Sequence, residues 1–257
     1  MKKYLFLILL ATAQISFLIS CSKDTGINNM ANPDTNGSNG TGGSLARFTV
    51  AGNYLYLVDE KSITTVDISD PTNPKIKSKV NIGMDIETIF PYRGNLFIGS
   101  SSALYIFSLN NPEQPVMEGM ANHMRACDPA VAAGNTAYVT VRSSTNGSPC
   151  GGNLNALIVY DVTNLSNPFE KKRVNLSNPH GLGIKDGFLY VCDGNAGLKT
   201  FQTEGSYDLN HKETTNGYYF KDVIPYQDML ICMVEGGMVI YDIGEDPSKP
   251  KFVTKTF

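Results

Sequence analysis

The sequence has no tryptophan and only three histidines among its 257 residues, and the signatures of several enzyme classes are missing from it. Gly-x-Ser-x-Gly, His-Glu-x-x-His, Gly-x-x-x-x-Gly-Lys-Ser/Thr and Cys-x-x-Cys do not occur. Their absence removes the motif-based argument for a serine hydrolase, a zinc protease, a P-loop nucleotide hydrolase or a thiol oxidoreductase. The lack of tryptophan also weakens the case for a sugar-binding funnel, because tryptophan is the best aromatic platform for stacking.

An excess of positive charge is missing as well. The chain has 21 lysines and arginines against 24 aspartates and glutamates, a formal net charge of −3, and no strongly basic region. Because a phosphate backbone requires a lysine and arginine face, no nucleic-acid partner is expected. The hydrophobic fraction of 42% is enough for a core, and 24 glycines and 13 prolines between strand-like runs favour an all-β fold. Length alone allows one large domain or two small ones.

The first 20 residues predict a lipoprotein signal peptide. Two lysines precede an apolar stretch over residues 4–19, which is shorter than the ~20 residues that a membrane-spanning helix needs. The stretch ends in Leu18-Ile19-Ser20-Cys21, which resembles the lipobox of bacterial lipoproteins. The resemblance implies that Cys21 is acylated and anchors the chain in a lipid bilayer. It also implies the outer membrane, on its periplasmic or its surface-exposed face, because position 22 is not aspartate.

Residues 21–44 combine the acylated cysteine with a flexible tether. Asparagine, glycine, serine and threonine dominate this segment, and no apolar periodicity is present. A coil of this composition has a root-mean-square reach of about 25 Å. The tether is therefore expected to hold a folded domain clear of the lipid headgroups.

The rest of the chain, residues 45–257, contains five copies of one pattern. The second strand of each copy is an apolar run such as LYLV, and after a short turn the third strand follows, as in LIVYD. Copies recur about every 40 residues, and the third carries about twelve extra residues from Ser143 to Leu154. Most third strands run into Asp/Asn-Pro-x-x-Pro, in which the prolines end one strand and turn the chain into the next.

Four short strands in each copy predict a five-bladed β-propeller, since a β-solenoid has shorter coils and a two-sheet sandwich does not require repeats. The blades are expected over residues 45–83, 84–123, 124–177, 178–216 and 217–257. The copies begin and end in phase, so no strand is exchanged between the first and last blades. Packing alone is expected to seal these two blades.

The repeat resembles the LVIVD repeat of bacterial cell-surface lipoproteins. The similarity covers Gly43 to Phe257, and the segments that carry it are GSLARFTVAGNYLYLVD, DIETIFPYRGNLFIGS, ACDP with AYVTVR, NPHGLGI and LYVCDGNAGLK. The resemblance implies a β-propeller on a lipid-anchored protein and implies no reaction.

Candidate functional residues lie where the first strand of each copy begins. One ionisable side chain per copy would ring one end of the central channel, namely Arg47, Glu87, Asp128, His180 and Asp222. Arg142 lies near the edge of the third copy and extends the set. Carboxylates that share a channel mouth raise each other's pKa or recruit a cation. The opposing interpretation is ordinary polarity at strand starts.

The cysteines predict one disulfide in an oxidising compartment. Cys127 lies at the start of the third copy and Cys150 lies in its polar insertion, where a bond between them would contribute ~3 kcal/mol. Cys192 and Cys232 fall in second strands of neighbouring copies, and face-packed sheets ~10 Å apart are too distant for a disulfide. These two are expected to be buried, unpaired core residues.

The first functional hypothesis is therefore a non-enzymatic, lipid-anchored binding or scaffold module with no cofactor, whose ligand is an unidentified protein or small molecule. The alternative is a metal-dependent hydrolase that holds a channel-bound cation with Glu87, Asp128 and Asp222.

Overall fold

The computed structural model describes residues 43–83, 85–123, 129–143, 154–203 and 207–256. In these ranges the chain forms twenty strands, and none of the described residues forms a helix that is long and apolar enough to cross a membrane. The strands make five four-stranded antiparallel sheets, each built from consecutive strands. This arrangement confirms the all-β, five-bladed propeller built from four-stranded repeats.

Each blade is one sheet. Blade 1 contains β1 (Phe48–Ala51), β2 (Tyr54–Val58), β3 (Ser62–Asp67) and β4 (Lys75–Asn81). Blade 2 contains β5 (Ile86–Tyr92), β6 (Asn95–Ser100), β7 (Ala103–Ser108) and β8 (Val116–Asn122). Blade 3 contains β9 (Ala130–Ala133), β10 (Thr136–Val141), β11 (Ala156–Asp161) and β12 (Phe169–Asn175). Blade 4 contains β13 (Leu182–Lys185), β14 (Phe188–Cys192), β15 (Leu198–Thr203) and β16 (Leu209–Thr215). Blade 5 contains β17 (Phe220–Tyr226), β18 (Met229–Val234), β19 (Gly237–Asp242) and β20 (Lys251–Thr256).

Burial changes from the inner to the outer strand of a blade. The two middle strands carry the apolar runs of the repeat, and in blade 3 every residue of β10 and β11 is buried. The outermost strands alternate or are fully exposed, as in β4 and β20. Strands that are covered on both faces need continuous apolar sequence, which explains why the repeat shows no polar alternation there.

Two pairs of neighbouring blades are joined by a hydrogen bond from a tyrosine to a proline loop. Tyr56 in the second strand of blade 1 donates a hydrogen bond to the carbonyl oxygen of Pro112 in blade 2, at 2.8 Å. Tyr190 in blade 4 does the same to Pro247 in blade 5, at 2.9 Å. Both prolines open the Pro-x-x-Pro segment of the repeat. The proline loop therefore serves as a hydrogen-bond acceptor for the preceding blade as well as a turn.

Four hydrophobic clusters lie between consecutive blades, from blade 1 against 2 to blade 4 against 5, and none of the clusters in the described residues joins blade 5 to blade 1. On the blade 1 side of this junction Phe48 is 61% exposed, although its counterpart Ile89 in blade 2 is 1% exposed. On the blade 5 side Met233 is 52% exposed, whereas its counterpart Cys192 in blade 4 is fully buried. We call this junction the open seam.

A short segment before β1 closes the inner end of the open seam. We call residues 43–47 the strap. The Ser44 hydroxyl accepts a hydrogen bond from the Leu182 amide (2.7 Å) and donates one to Asp222 Oδ1 (3.3 Å). The Ala46 carbonyl accepts from the Ile89 amide at 2.9 Å. The strap thus bonds to the inner strands of blades 2, 4 and 5, so the ring is joined by polar contacts rather than by the apolar packing that the sequence led us to expect.

Candidate functional site

The register of the inner strands identifies which residues share one ring at the channel mouth. The pairing register shifts between Ile86 and Thr88 in β5 and between Phe220 and Asp222 in β17, so Glu87 and Lys221 are the bulge residues of these two strands. In blade 4, Leu182 is the counterpart of Ile89, so the residue equivalent to Glu87 is His180, two positions before β13 begins. The ring therefore contains Lys221 where the sequence had suggested Asp222. Counting back from Phe48 in the same way, it contains Ala46 where the sequence had suggested Arg47, so both predictions were wrong by one residue.

Asp222 lies one position further in and is enclosed by the strap. It is 7% exposed, and its Oδ1 accepts hydrogen bonds from the Val223 amide (3.0 Å) and the Ser44 hydroxyl. A Cβ atom on Gly181 would lie 2.0 Å from the same oxygen, so only glycine fits beside it. Burial raises the pKa of this carboxyl from its ordinary 3.8 to about 6. Asp222 joins the blades and is not open to a ligand.

The other predicted residues are spread around the ring. Arg47 donates a hydrogen bond to the Ile86 carbonyl (2.7 Å) and borders a cavity of about 650 Å³ on blade 1, away from His180. Glu87 is half-buried. Asp128 lies outside the described residues, and within them no group of three His, Cys, Asp or Glu side chains could hold a metal ion. The hydrolase hypothesis therefore stays a prediction that depends on Asp128.

His180 is held at the mouth by three blades. Its amide donates to the Cys192 carbonyl (2.7 Å), and its carbonyl accepts from the Thr140 hydroxyl (2.5 Å). Its ring Nε2 lies 2.8 Å from the Tyr219 hydroxyl, and the two rings meet edge to face at 5.4 Å. The side-chain amide of Asn178 (Nδ2) also donates to the Tyr219 hydroxyl, at 2.7 Å.

Two further basic side chains converge on His180. Arg142 follows β10 two residues after Thr140, on the same face of the strand, which is the face that touches His180. Lys221 Nζ lies 5.9 Å from the centre of the Tyr219 ring. Burial, followed by repulsion from Arg142 and then Lys221, lowers the pKa of His180 from 6.5 to about 4. The imidazole is therefore neutral at pH 7, between two cations.

Asp193 fixes the loop that carries Asn178. This aspartate is fully buried at the end of β14, and its Oδ1 accepts hydrogen bonds from the amides of Ser177 (2.9 Å) and Asn178 (2.7 Å). Its second oxygen lies 3.6 Å from Lys199 Nζ. The mouth at blade 4 is thus built on a rigid, charge-compensated turn.

A cavity of about 560 Å³ opens beside Tyr219. Its walls are formed by the side chains or backbone of Asn195, Gly217, Tyr218, Tyr219 and Glu235, from blade 4 and blade 5. This volume lies in the range that holds small-molecule ligands. We call the cavity, together with Arg142, Asn178, His180 and Lys221, the mouth site.

The sequence indicated part of this site. Arg142 and His180 were singled out by position, whereas Asn178, Tyr219 and Lys221 were not. The signal for Lys221 was available, because the spacing of positions 46, 87, 128, 180 and 221 is more regular than that of the set containing Asp222. The signal for Tyr219 was masked, since tyrosines elsewhere in the repeat are core residues.

The cysteines agree with the sequence where they are described. Cys192 and Cys232 are unpaired and buried, which confirms that prediction. Burial raises the pKa of the Cys232 thiol to about 12 and that of Cys192 well above its ordinary value. Cys21, Cys127 and Cys150 lie outside the described residues, so the lipid anchor and the disulfide stay predictions.

Comparison with known proteins supports the fold. The sequence model of the LVIVD repeat matches residues 42–82 and 151–176, and no curated protein matches the chain. A protein from Lactobacillus plantarum is similar with a TM-score of 0.63 and 12% identity, over 80% of this chain and 73% of that one. The periplasmic gluconolactonase PpgL of Pseudomonas aeruginosa is similar with a TM-score of 0.61 and 12% identity, over 80% of this chain and 67% of that one.

The computationally designed protein Ika8 gives a TM-score of 0.57 at 10% identity, over 81% of this chain and 60% of that one. The chain thus spans 60% to 73% of the length of these three structures. At such identities the likeness shows the propeller fold alone.

Proposed function

We propose that this LVIVD-repeat β-propeller is a lipid-anchored, non-enzymatic binding module, and that its ligand is taken at the mouth site. The observation that carries the proposal is the convergence of Arg142 and Lys221 on His180, from three successive blades, where the His180 ring Nε2 lies 2.8 Å from the Tyr219 hydroxyl. Side chains from three blades meet only through the folded ring, so they form a site that local sequence cannot create.

The protonation chemistry favours binding over catalysis. A general base works best with a pKa near the operating pH, and His180, at about 4, is a weak base at neutral pH. Asp222 is enclosed beneath the strap, so its carboxylate is not available to a substrate. Asp222 is one of the three carboxylates of the hydrolase alternative, which would then have to hold its cation with Glu87 and Asp128.

The binding proposal is tested by a thermal-shift screen of small molecules on three proteins. The wild type is compared with an Arg142→Gln, Lys221→Gln double variant and with Arg173→Gln, whose arginine pairs with Glu170 on the exposed strand β12 at 2.6 Å. A ligand of the mouth site raises the Tm of the wild type and of Arg173→Gln and leaves the double variant unchanged. Compounds that stabilise all three proteins equally would contradict the proposal.

Lipid anchoring has a separate test. Cells expressing the wild type should incorporate labelled palmitate into the protein and retain it in the outer-membrane fraction, whereas Cys21→Ser should do neither. Uptake of the label by the Cys21→Ser protein would remove the lipoprotein part of the proposal and leave the mouth site untouched.

A further inference from the structure

We propose that the ligand of the mouth site carries an anionic group, a carboxylate or a phosphate, and that its binding is coupled to the uptake of one proton by His180. The inference rests on the proposed function, because it concerns the same site. It names the chemical class of the ligand and adds a proton to the binding equilibrium.

The charges around the mouth site favour an anion. Arg142 and Lys221 have no ion pair within the described part of the chain, and the buried Nε–H of Arg142 has no hydrogen-bond acceptor there. A buried donor without an acceptor costs about 1–3 kcal/mol, which an anionic ligand would recover.

Among the described residues, the acidic groups next to His180 and the cavity do not offset these cations. Asp193 is compensated by Lys199 and by two backbone amides. Asp222 is enclosed by the strap, behind Lys221. Glu235 also lines the cavity, where it can accept from hydroxyl or amine groups on the rest of a ligand. The cationic end of the site is therefore at Arg142, His180 and Lys221, and the acceptor end is at Glu235.

The hydrogen bonds of the Tyr219 hydroxyl couple anion binding to the protonation of His180. The Tyr219 oxygen accepts from the Asn178 side-chain amide and lies 2.8 Å from His180 Nε2. Because burial and two neighbouring cations keep His180 neutral, we assign the Nδ1–H tautomer to the free protein, with the Tyr219 hydrogen donated to Nε2. When a proton from solvent adds to Nε2, that nitrogen becomes the donor. The tyrosine hydrogen then needs a new acceptor, and Tyr219 borders the cavity where a bound anion would supply one.

The sign of the pH dependence follows from this coupling. In the free protein His180 titrates at about 4, and an anion within ~4–6 Å raises the midpoint by about 1–3 pH units. Affinity for the anion therefore increases as the pH falls from 7 towards 4. Below the free-protein midpoint both states carry the proton, and no further gain is expected.

The test is an NMR titration of the histidine rings between pH 3.5 and 8 with inorganic phosphate, lactate or sulfate, at constant ionic strength. Sulfate keeps its charge over most of this range and serves as the reference anion, while phosphate and lactate separate the two candidate classes. In the free protein His180 should be the Nδ1–H tautomer. At saturating anion its midpoint should rise by at least 1 unit, while that of His211, which bonds Thr214 on exposed β16, should stay constant.

Variants distinguish this mechanism from a structural effect. Arg142→Gln or Lys221→Gln should raise the His180 midpoint in the absence of anion, because repulsion is removed, and should abolish the anion-induced shift. Tyr219→Phe should keep anion binding but reduce the shift. If no anion moves the midpoint by more than 0.3 units, the anion proposal is wrong. A neutral compound that still requires Arg142 in the thermal-shift screen would leave the proposed function standing.

Discussion

Asp222 and His180 lie on neighbouring blades, and folding shifts their pKa values in opposite directions. Burial raises the pKa of Asp222 from 3.8 to about 6, so the contribution of this group to stability is present at low pH and is lost as the pH rises through 6. Burial together with Arg142 and Lys221 lowers the pKa of His180 from 6.5 to about 4, so stability is lost as the pH falls from 6.5 towards 4. The two effects oppose each other over the same window.

Single substitutions should expose each effect. Between pH 6.5 and 4, the unfolding free energy of Asp222→Asn should fall by about 1 kcal/mol per pH unit, because only His180 remains. That of His180→Asn should rise by a similar amount, and the wild type should be nearly flat. Urea unfolding at pH 4, 5, 6 and 7 measures the three slopes. Parallel slopes for the two variants would show that the assigned shifts are wrong.

The sequence predicted His180 as a mouth residue but not its neutral state, because that state depends on cations from two other blades. It also placed Asp222 in the ring and overlooked Lys221. The physical reason is the bulge at β17, which leaves Lys221 unpaired and turns the next side chain towards the strap. A bulge is not visible as spacing within one copy.

At the scale of single elements, the proline loop and the second strand of the repeat depend on each other across blades. The sequence predicted both, as LYLV-type runs and Asp/Asn-Pro-x-x-Pro turns, within each copy. It did not show that Tyr56 and Tyr190 donate to a proline carbonyl in the following copy. Blades 2 and 5 have Phe97 and Ile231 at the tyrosine position and offer no hydroxyl to the next blade, although Phe97 packs in the cluster between blades 2 and 3. The missing hydroxyl therefore does not distinguish the open seam from a packed junction.

Tyr190→Phe should lower the unfolding free energy by about 1 kcal/mol, because the Pro247 carbonyl loses its donor while the ring still packs. Tyr226→Phe is the matched control, since Tyr226 is exposed at the end of an inner strand and should change stability little. Urea midpoints of both variants against the wild type measure the difference. Equal midpoints would mean that the hydrogen bond contributes nothing to the contact between blades.

At the scale of the whole molecule, the ring has four packed junctions and one open seam. Repeat counting predicted the number of blades, because each copy contains its own four strands. It could not predict the open seam, since Leu57 on the seam and its buried counterpart Ile98 in blade 2 are equally apolar in sequence. Only the relative positions of the first and last blades decide which face is covered.

Ile98→Ala should lower the free energy of unfolding by about 2–5 kcal/mol, because it leaves a cavity between blades 1 and 2. Leu57→Ala should lower the free energy of unfolding by less than about 1 kcal/mol, since Leu57 is 37% exposed at the equivalent position. Equilibrium unfolding of both variants tests the seam directly. A large cost at Leu57 would mean that blades 1 and 5 pack together in solution.

The position of the strap also determines which contacts break first when the chain is pulled from its N-terminal side. The chain enters the ring at Gly43, so a pull along the preceding segment reaches the two hydrogen bonds of Ser44 before it reaches any sheet. No hydrophobic cluster in the described residues resists separation of blades 1 and 5. Tension from that side is therefore expected to separate blades 1 and 5 at the open seam before it unfolds a blade.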